Sequence, residues 1–384
     1  MKKELIISYE DDASKIALIE DGRLFELHEI KQNTDFVVGD IFVGKIKKLA
    51  PNLNAAFVNI GYEKDAFLHY QDLGPQYLTY RKFLQDTVSK RQQTSSLKNF
   101  QIQPEIDKHG TVDKVMAAQD EVLLQITKEP ISTKGPRIST QISLTGRFLV
   151  LIPFDNKVSI SKKVKSAEEK ARLKTLIESI KPEGFGVIIR TVAEGKKVAE
   201  LHNDMNQLVD KWNVCFKNIQ KNKTPAKVLS EEDKASAILR DNFNQDFVSI
   251  ICDDEQMVND MKNYLEVIAP ERKNIVQFYD SHIPLLEYYN VEKQLKQSFG
   301  KHVNIPSSKG AYLVIEHTEA LHVVDVNSGN NISSGTANKE HALNVNKMAA
   351  TEIARQLRLR DMGGIIVVDF IDMPNPDHRK DLYE

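Results

Sequence analysis

The segment from residue 312 to residue 373 constrains the fold more tightly than any other. Two short apolar runs, Val323-Val324-Asp325-Val326-Asn327 and Ile365-Ile366-Val367-Val368-Asp369-Phe370, each carry a carboxylate where a strand entering a core should carry none. Between them Ala342, Val345, Ala349, Ile353 and Leu357 recur at helical spacing. Arg355, Arg358 and Arg360 suit the negative end of that helix, and Gly363-Gly364 stop it. Upstream, "GAYLVIEHTEALHVVDVNSG" reads as a hairpin turning at His317 to Glu319. Strand, helix, strand with an acid near the end of each strand predicts α/β layering with a site along the sheet edge.

A lone buried carboxylate needs a cation, a metal or hydrogen-bond donors, because desolvating an unpaired charge is costly. Two of them on neighbouring strands repel unless a cation lies between. Hard oxygen donors favour Mg²⁺ or Mn²⁺, and Mg²⁺ takes one or two carboxylates together with waters and phosphate oxygens. Asn327 shares a strand face with Asp325, so its amide can hold a phosphate oxygen or a water. This is the layout of metal-assisted phosphodiester hydrolysis. The alternative for either acid is a turn or helix cap at a strand end. Asp372 points elsewhere or caps the turn before Pro374, and is not counted as a ligand.

A chain of 384 residues calls for two to four domains. A net charge of -2 with 28% charged residues gives no global bias toward nucleic acid, so any basic surface must be local. One such stretch runs from Lys128 to Arg172 and includes Lys162, Lys163 and Lys165. Two cysteines, Cys215 and Cys252, do not make a disulfide framework or a zinc knuckle and suit a reducing compartment. The start lacks a signal-peptide core and no apolar run approaches ~20 residues, so a cytoplasmic protein without a membrane partner is expected.

Residues 1 to 30 alternate apolar and polar around Asp11-Asp12 and Asp21-Gly22, an antiparallel meander that needs a partner layer. From Gly39, short strands carrying Phe57 and Phe67 suit a small OB-type barrel that stacks bases. The polar stretch from Pro75 to about Gly110 reads as a surface excursion inserted into that barrel, partly helical. Further strands lead to a helix from Ser166 to about Ile180. A mostly helical segment, 196 to 245, carries the single Trp212; "FVSIICDD" is then a strand and "EQMVNDMKNYLEVIA" a helix.

The runs "TEALHVVDVNSG", "EIARQLRLRDMGGIIVVDFIDM", "RTVAEGKK" and "GDIFVGKIKKLAPNLNAAFVNIGYEKDAFLH" resemble the ribonuclease E/G family, bacterial single-strand-directed endoribonucleases. The resemblance holds in order over nearly the whole chain, apart from 75 to 110. It implies an α/β multidomain fold. An RNase H-like domain is split between 1–38 and 237–302, and an S1-type (OB) barrel lies at 39–136 with the polar insertion 75–110. A 5′-sensor occupies 137–236, and a DNase I-like catalytic subdomain 303–384.

By that resemblance Asp325 and Asp369 match the magnesium-binding catalytic aspartates and Asn327 the assisting asparagine. Arg190 and Thr191, with backbone groups at Gly146 and Val150, match a pocket for a 5′-monophosphate, which a guanidinium fork and a hydroxyl suit physically. Without the family, Arg190 before a Gly-containing turn is an ordinary solvated or ion-paired arginine. Phe57, Phe67 and Lys134 match positions that stack and pin RNA; an aromatic pair on a barrel is otherwise core packing.

The implied activity is Mg²⁺-dependent cleavage of single-stranded RNA in rRNA processing and mRNA decay. A 5′-monophosphate stimulates it, and the products carry 5′-phosphates. The family's zinc-sharing CPxCxGxG motif would fall beyond Glu384, so no zinc and a monomer are expected for this chain, whereas full-length members are homo-oligomers. The rival reading is an RNA-binding or ribosome-assembly factor that cuts little. A DNA nuclease rests only on the fold likeness of the catalytic subdomain.

Overall fold

The computed structural model describes residues 2–9, 13–31, 36–130, 134–231, 239–240, 243–244, 246–308, 310–329 and 337–384. The chain forms two compact units, one built from residues 1–33 and 234–384 and the other from 34–233.

In the first unit the strands Lys3–Tyr9, Ala13–Glu20 and Arg23–Lys31 form the expected antiparallel meander. The parallel strands Phe247–Cys252 and Val276–Phe278 extend the sheet from its first strand. The Asp21-Gly22 turn is present with both residues at positive φ, whereas the Asp11-Asp12 turn lies outside the described residues. Period-two alternation gives each face its own apolar set. Leu5, Ile7, Ile16 and Leu18 meet Val258, Met261 and Leu265 of the helix Glu255–Ile268. On the opposite face Ile6, Ala17, Ile19 and Leu24 meet Leu285, Leu286, Val291 and Leu359.

A second sheet in this unit runs in the order His302–Asn304, Tyr312–His317, Leu321–Asn327, Ile365–Asp369. The first three strands are antiparallel, and the last is parallel to its neighbour because the helix Ala337–Leu359 carries the chain back between them. Val345, Ala349 and Ile353 of that helix pack on Leu313, Ile315, Val324 and Val326, covering one face of the sheet. Arg355, expected to complement the helix dipole, is instead 5% exposed. It donates to Glu352 Oε1 at 2.9 and 2.7 Å and to the Leu24 carbonyl at 2.6 Å, pinning the helix to the meander. Burial alone would raise the Glu352 pKa, but hydrogen bonds from Arg355, Arg23 and Gln356 outweigh it and hold the carboxyl below its usual value.

In the second unit the strands Ile41–Ala50, Ala55–Asn59, Ala66–His69, Arg137–Ser139 and Glu121–Lys128 make a five-stranded barrel of the OB-like kind. Pairing of the last strand with the first closes it. A smaller sheet, Leu144–Thr145, Leu149–Pro153, Phe185–Ile189 and Val158–Ile160, packs with the helices Ala167–Ile180 and Val198–Lys221. Residues 232–238, 241–242 and 245 of the expected helical stretch lie outside the described residues.

The segment 75–110 is partly helical as expected and runs along the surface from residue 88 onward, but its helix is not surface. Its helix Tyr77–Val88 places Tyr80, Phe83 and Leu84 in the core, followed by Leu97. Phe83 stacks on Trp212 with ring centroids 5.4 Å apart, and the indole N–H donates to the Ser95 carbonyl at 2.9 Å. Averaged composition hid a stripe at helical spacing: Tyr77, Tyr80, Phe83, Leu84 and Thr87 are all buried.

Candidate functional site

Asp325 and Asp369 are direct register partners on the two parallel strands. Asn327, two residues along, donates its Nδ2 to Asp325 Oδ2 at 2.9 Å. The structure corrects one premise of the sequence reading: both acids are exposed rather than buried. The runs are apolar on both faces, and the helix covers only the face of Val324, Val326, Ile366 and Val368. The acids lie on the other face with Val323, Ile365 and Val367, the last two 63% and 47% exposed.

Desolvation therefore does not demand a partner here, but proximity does. Like charges directly opposite on neighbouring strands destabilise a sheet. Among the described residues no ion pair reaches either carboxylate. No group of three or more His, Cys, Asp and Glu gathers among them either. Two solvent-facing carboxylates and one amide suit a hard cation that keeps most of its shell as water, as Mg²⁺ does. They do not make the closed tetrahedral N/S cage of structural zinc.

The second unit holds another polar cluster. Arg190 follows the strand Phe185–Ile189, and its Nη1 donates to the carbonyls of Gly146 at 2.8 Å and Arg147 at 3.3 Å. Thr191 Oγ1 lies 2.9 Å from Ser161 Oγ, within hydrogen-bond range. Val150 pairs with Thr145 and Ile188, so the sheet brings Gly146, Val150, Arg190 and Thr191 to one end.

Sequence reasoning missed the residue that shapes this cluster. Asp204, on the helix Val198–Lys221, is 6% exposed. Its Oδ1 accepts from the Arg147 amide and its Oδ2 from the Phe148 and Leu149 amides, each at 2.9 Å. Burial raises its pKa, and the three backbone N–H groups oppose the rise without cancelling it. Gly146 is required here, since a Cβ would lie 2.7 Å from both carboxylate oxygens. The signal was available: Leu201, Met205, Leu208 and Trp212 define an apolar helix face, and Asp204 interrupts it.

On the barrel, Phe57 and Phe67 are register partners with ring centroids 5.8 Å apart. Ala56, Val58, Ala66 and Leu68 point inward, so the two rings are half-exposed on the outer surface rather than packed in the core. Lys48 pairs with Phe57 and Arg137 with Phe67, giving a row of cation, ring, ring, cation across four strands. Arg137 is also tied to Asp72 by two hydrogen bonds of 3.0 and 3.2 Å. Lys134 is exposed beside Gly135, whose close approach to the Asp65 carbonyl leaves no room for a side chain. Cys215 and Cys252 are buried, and burial pushes each thiol up to about 12. No helix among the described residues is long and apolar enough to cross a membrane.

The chain is a mixed α/β protein with a closed OB-like barrel in one unit and paired acids on a sheet of the other. The family model described as Ribonuclease E/G family matches residues 143–384. A protein named Ribonuclease E from Nostoc sp. (strain PCC 7120) is 36% identical over 377 residues, 97% of this chain and 50% of the relative. Ribonuclease G from Haemophilus influenzae is 34% identical over 98% of this chain and 72% of its own length. Ribonuclease G from Escherichia coli (strain K12) is 32% identical over 99% and 73%. The chain belongs to the ribonuclease E/G family. It spans half of the Nostoc relative and about three quarters of the ribonucleases G.

Proposed function

We propose that the chain is a hydrolytic endoribonuclease that cuts single-stranded RNA with a divalent cation, Mg²⁺ or Mn²⁺, and is stimulated by a 5′-monophosphate. The observation that carries this reading is the direct register of Asp325 with Asp369, flanked by Asn327. Asp325 and Asp369 would hold the cation, which when bound supplies Lewis acidity and lowers the pKa of water. Asn327 fixes the Asp325 carboxylate through its amide and can offer a donor to a phosphate oxygen. Arg190 and Thr191, with the backbone at Gly146 and Val150, would take a terminal phosphate. Phe57 and Phe67 would stack bases, with Lys134 holding the backbone.

In the same reading the meander with its two parallel strands is a split RNase H-like domain, 1–38 and 237–302. The barrel is an S1-type module at 39–136, and 137–236 is the 5′-sensor. The acid-bearing sheet opens a DNase I-like subdomain from 303. Processing and decay of bacterial transcripts in the cytoplasm would follow.

The test is cleavage of a short A/U-rich RNA by the chain and by Asp325→Asn and Asp369→Asn, each with Mg²⁺ and with chelator. Products with 5′-phosphate ends that vanish with either substitution and without metal are expected. Cleavage that survives both substitutions would refute the assignment, and binding without any cleavage would favour an RNA-binding factor. The sensor is tested by comparing 5′-monophosphate, triphosphate and hydroxyl ends: equal rates on all three would refute it.

A further inference from the structure

The face that displays the acids continues across two more strands. In-register partners run Asp369, Asp325, Val314, His302 in one row and Asn327, Tyr312, Asn304 in the next. His302 and Asn304 are exposed and Tyr312 is half-exposed, so the face stays open out to the edge strand. The rings of His302 and Tyr312 are neighbours with centroids 5.8 Å apart and planes inclined at 48°. Beyond them opens a polar cavity of about 380 Å³, lined in part by Arg23, Gln294, Gln297, Ser298, His302 and Asn304. Arg23 gives Nη2 to Glu352 and keeps 39% of its side chain exposed, so a cation looks into the cavity.

We propose that this edge is a nucleotide subsite, in which one base of a single-stranded RNA stacks on the Tyr312 ring with His302 at its edge and its phosphate is drawn toward Arg23. The inference rests on the ribonuclease reading for its meaning, but not for its test. Two strand spacings separate the His302 row position from Asp325, about 10 Å, which is within reach of a nucleotide near the scissile phosphate. The half-exposed Tyr312 ring offers a π-face that any base can stack on. A polar, cationic cavity beside it suits a phosphate-bearing chain better than an apolar peptide, which would need dry walls. The paired carboxylates alone would repel such a chain, so a compensating positive group on the same unit is what an anionic substrate requires.

The test is equilibrium binding of a short fluorescein-labelled single-stranded RNA in chelator, alongside cleavage of the same RNA in Mg²⁺. Tyr312→Ala is expected to weaken binding about 5- to 100-fold, the range that base–aromatic stacking supports. Tyr312→Phe should restore wild-type binding. Placing one abasic residue at successive positions should identify a single position at which wild type and Tyr312→Ala become equal. If Tyr312→Ala and His302→Ala bind and cleave as the wild type does, the subsite is wrong. A Tyr312→Ala loss that no abasic position relieves, or that Tyr312→Phe shares, also overturns it. If the wild type binds with this pattern but never cleaves, the ribonuclease reading fails and the subsite stands.

Discussion

Removing the Asp204 carboxylate should loosen the Arg190 cluster and the core beneath it. The side chain accepts from three consecutive amides at 2.9 Å, two of them in buried surroundings. Hydrogen bonds to a charged acceptor contribute about 1.5–3 kcal/mol each, and a buried donor left unpaired costs about 1–3 kcal/mol. Against this, truncation relieves the desolvation that raises the Asp204 pKa. A folded-state pKa above the unfolded value means the protonated form is the one folding favours, so this group's contribution is full below pH 3.8 and is lost as the pH rises through the raised value. Near neutral pH the charge is therefore a cost that substitution removes.

Taken together these put Asp204→Ala at about 3–5 kcal/mol destabilising, and Asp204→Asn, which keeps one acceptor but turns a donor toward an amide, at about 1–2 kcal/mol. Trp212 is the only tryptophan, is 1% exposed and sits about two turns further along the same helix, so its fluorescence reports this unit. With a slope of about 2–3 kcal/mol per M in urea, the alanine variant should lose about 1–2 M in midpoint. A shift of less than about 0.5 kcal/mol, or an asparagine variant worse than alanine, would refute the reasoning.

Three further outcomes are expected. Phe67→Ala should weaken RNA binding by about 1–3 kcal/mol, read by anisotropy, with little change in the Trp212 unfolding curve because the ring is half-exposed; unchanged affinity would remove it from the RNA contacts. Glu26 is held to about 2, first by its hydrogen bond with His28 and then by Arg358. A depressed folded pKa gives stability that is present above 4.5 and lost as pH falls toward 2, so protection of the Arg23–Lys31 amides against hydrogen exchange, taken relative to the intrinsic rate at each pH, should fall over that window in wild type and change less in Glu26→Gln. With both thiols pushed to about 12 by burial, Cys215 and Cys252 should react with a disulfide reagent only on unfolding; fast native labelling at neutral pH would contradict their burial.

What the sequence determined by itself is what local period and side-chain chemistry encode. The meander, the hairpin into Leu321–Asn327, the helix after it and the identity of Asp325, Asn327 and Asp369 could all be read along the chain, because alternation of two and spacing of 3.6 are local. The tertiary structure decided the rest. Period two separates the faces of a strand but does not say which face a helix will cover, so acids expected to be buried proved open to solvent. Register between Leu321–Asn327 and Ile365–Asp369 is set by pairing across a helix of 23 residues, and only that pairing puts the two carboxylates opposite each other. The core role of 75–110 and the grip of Asp204 on 147–149 also depend on partners far along the chain, Trp212 and a backbone turn. A sequence names the groups that need satisfying, and the packed chain selects which distant group satisfies them.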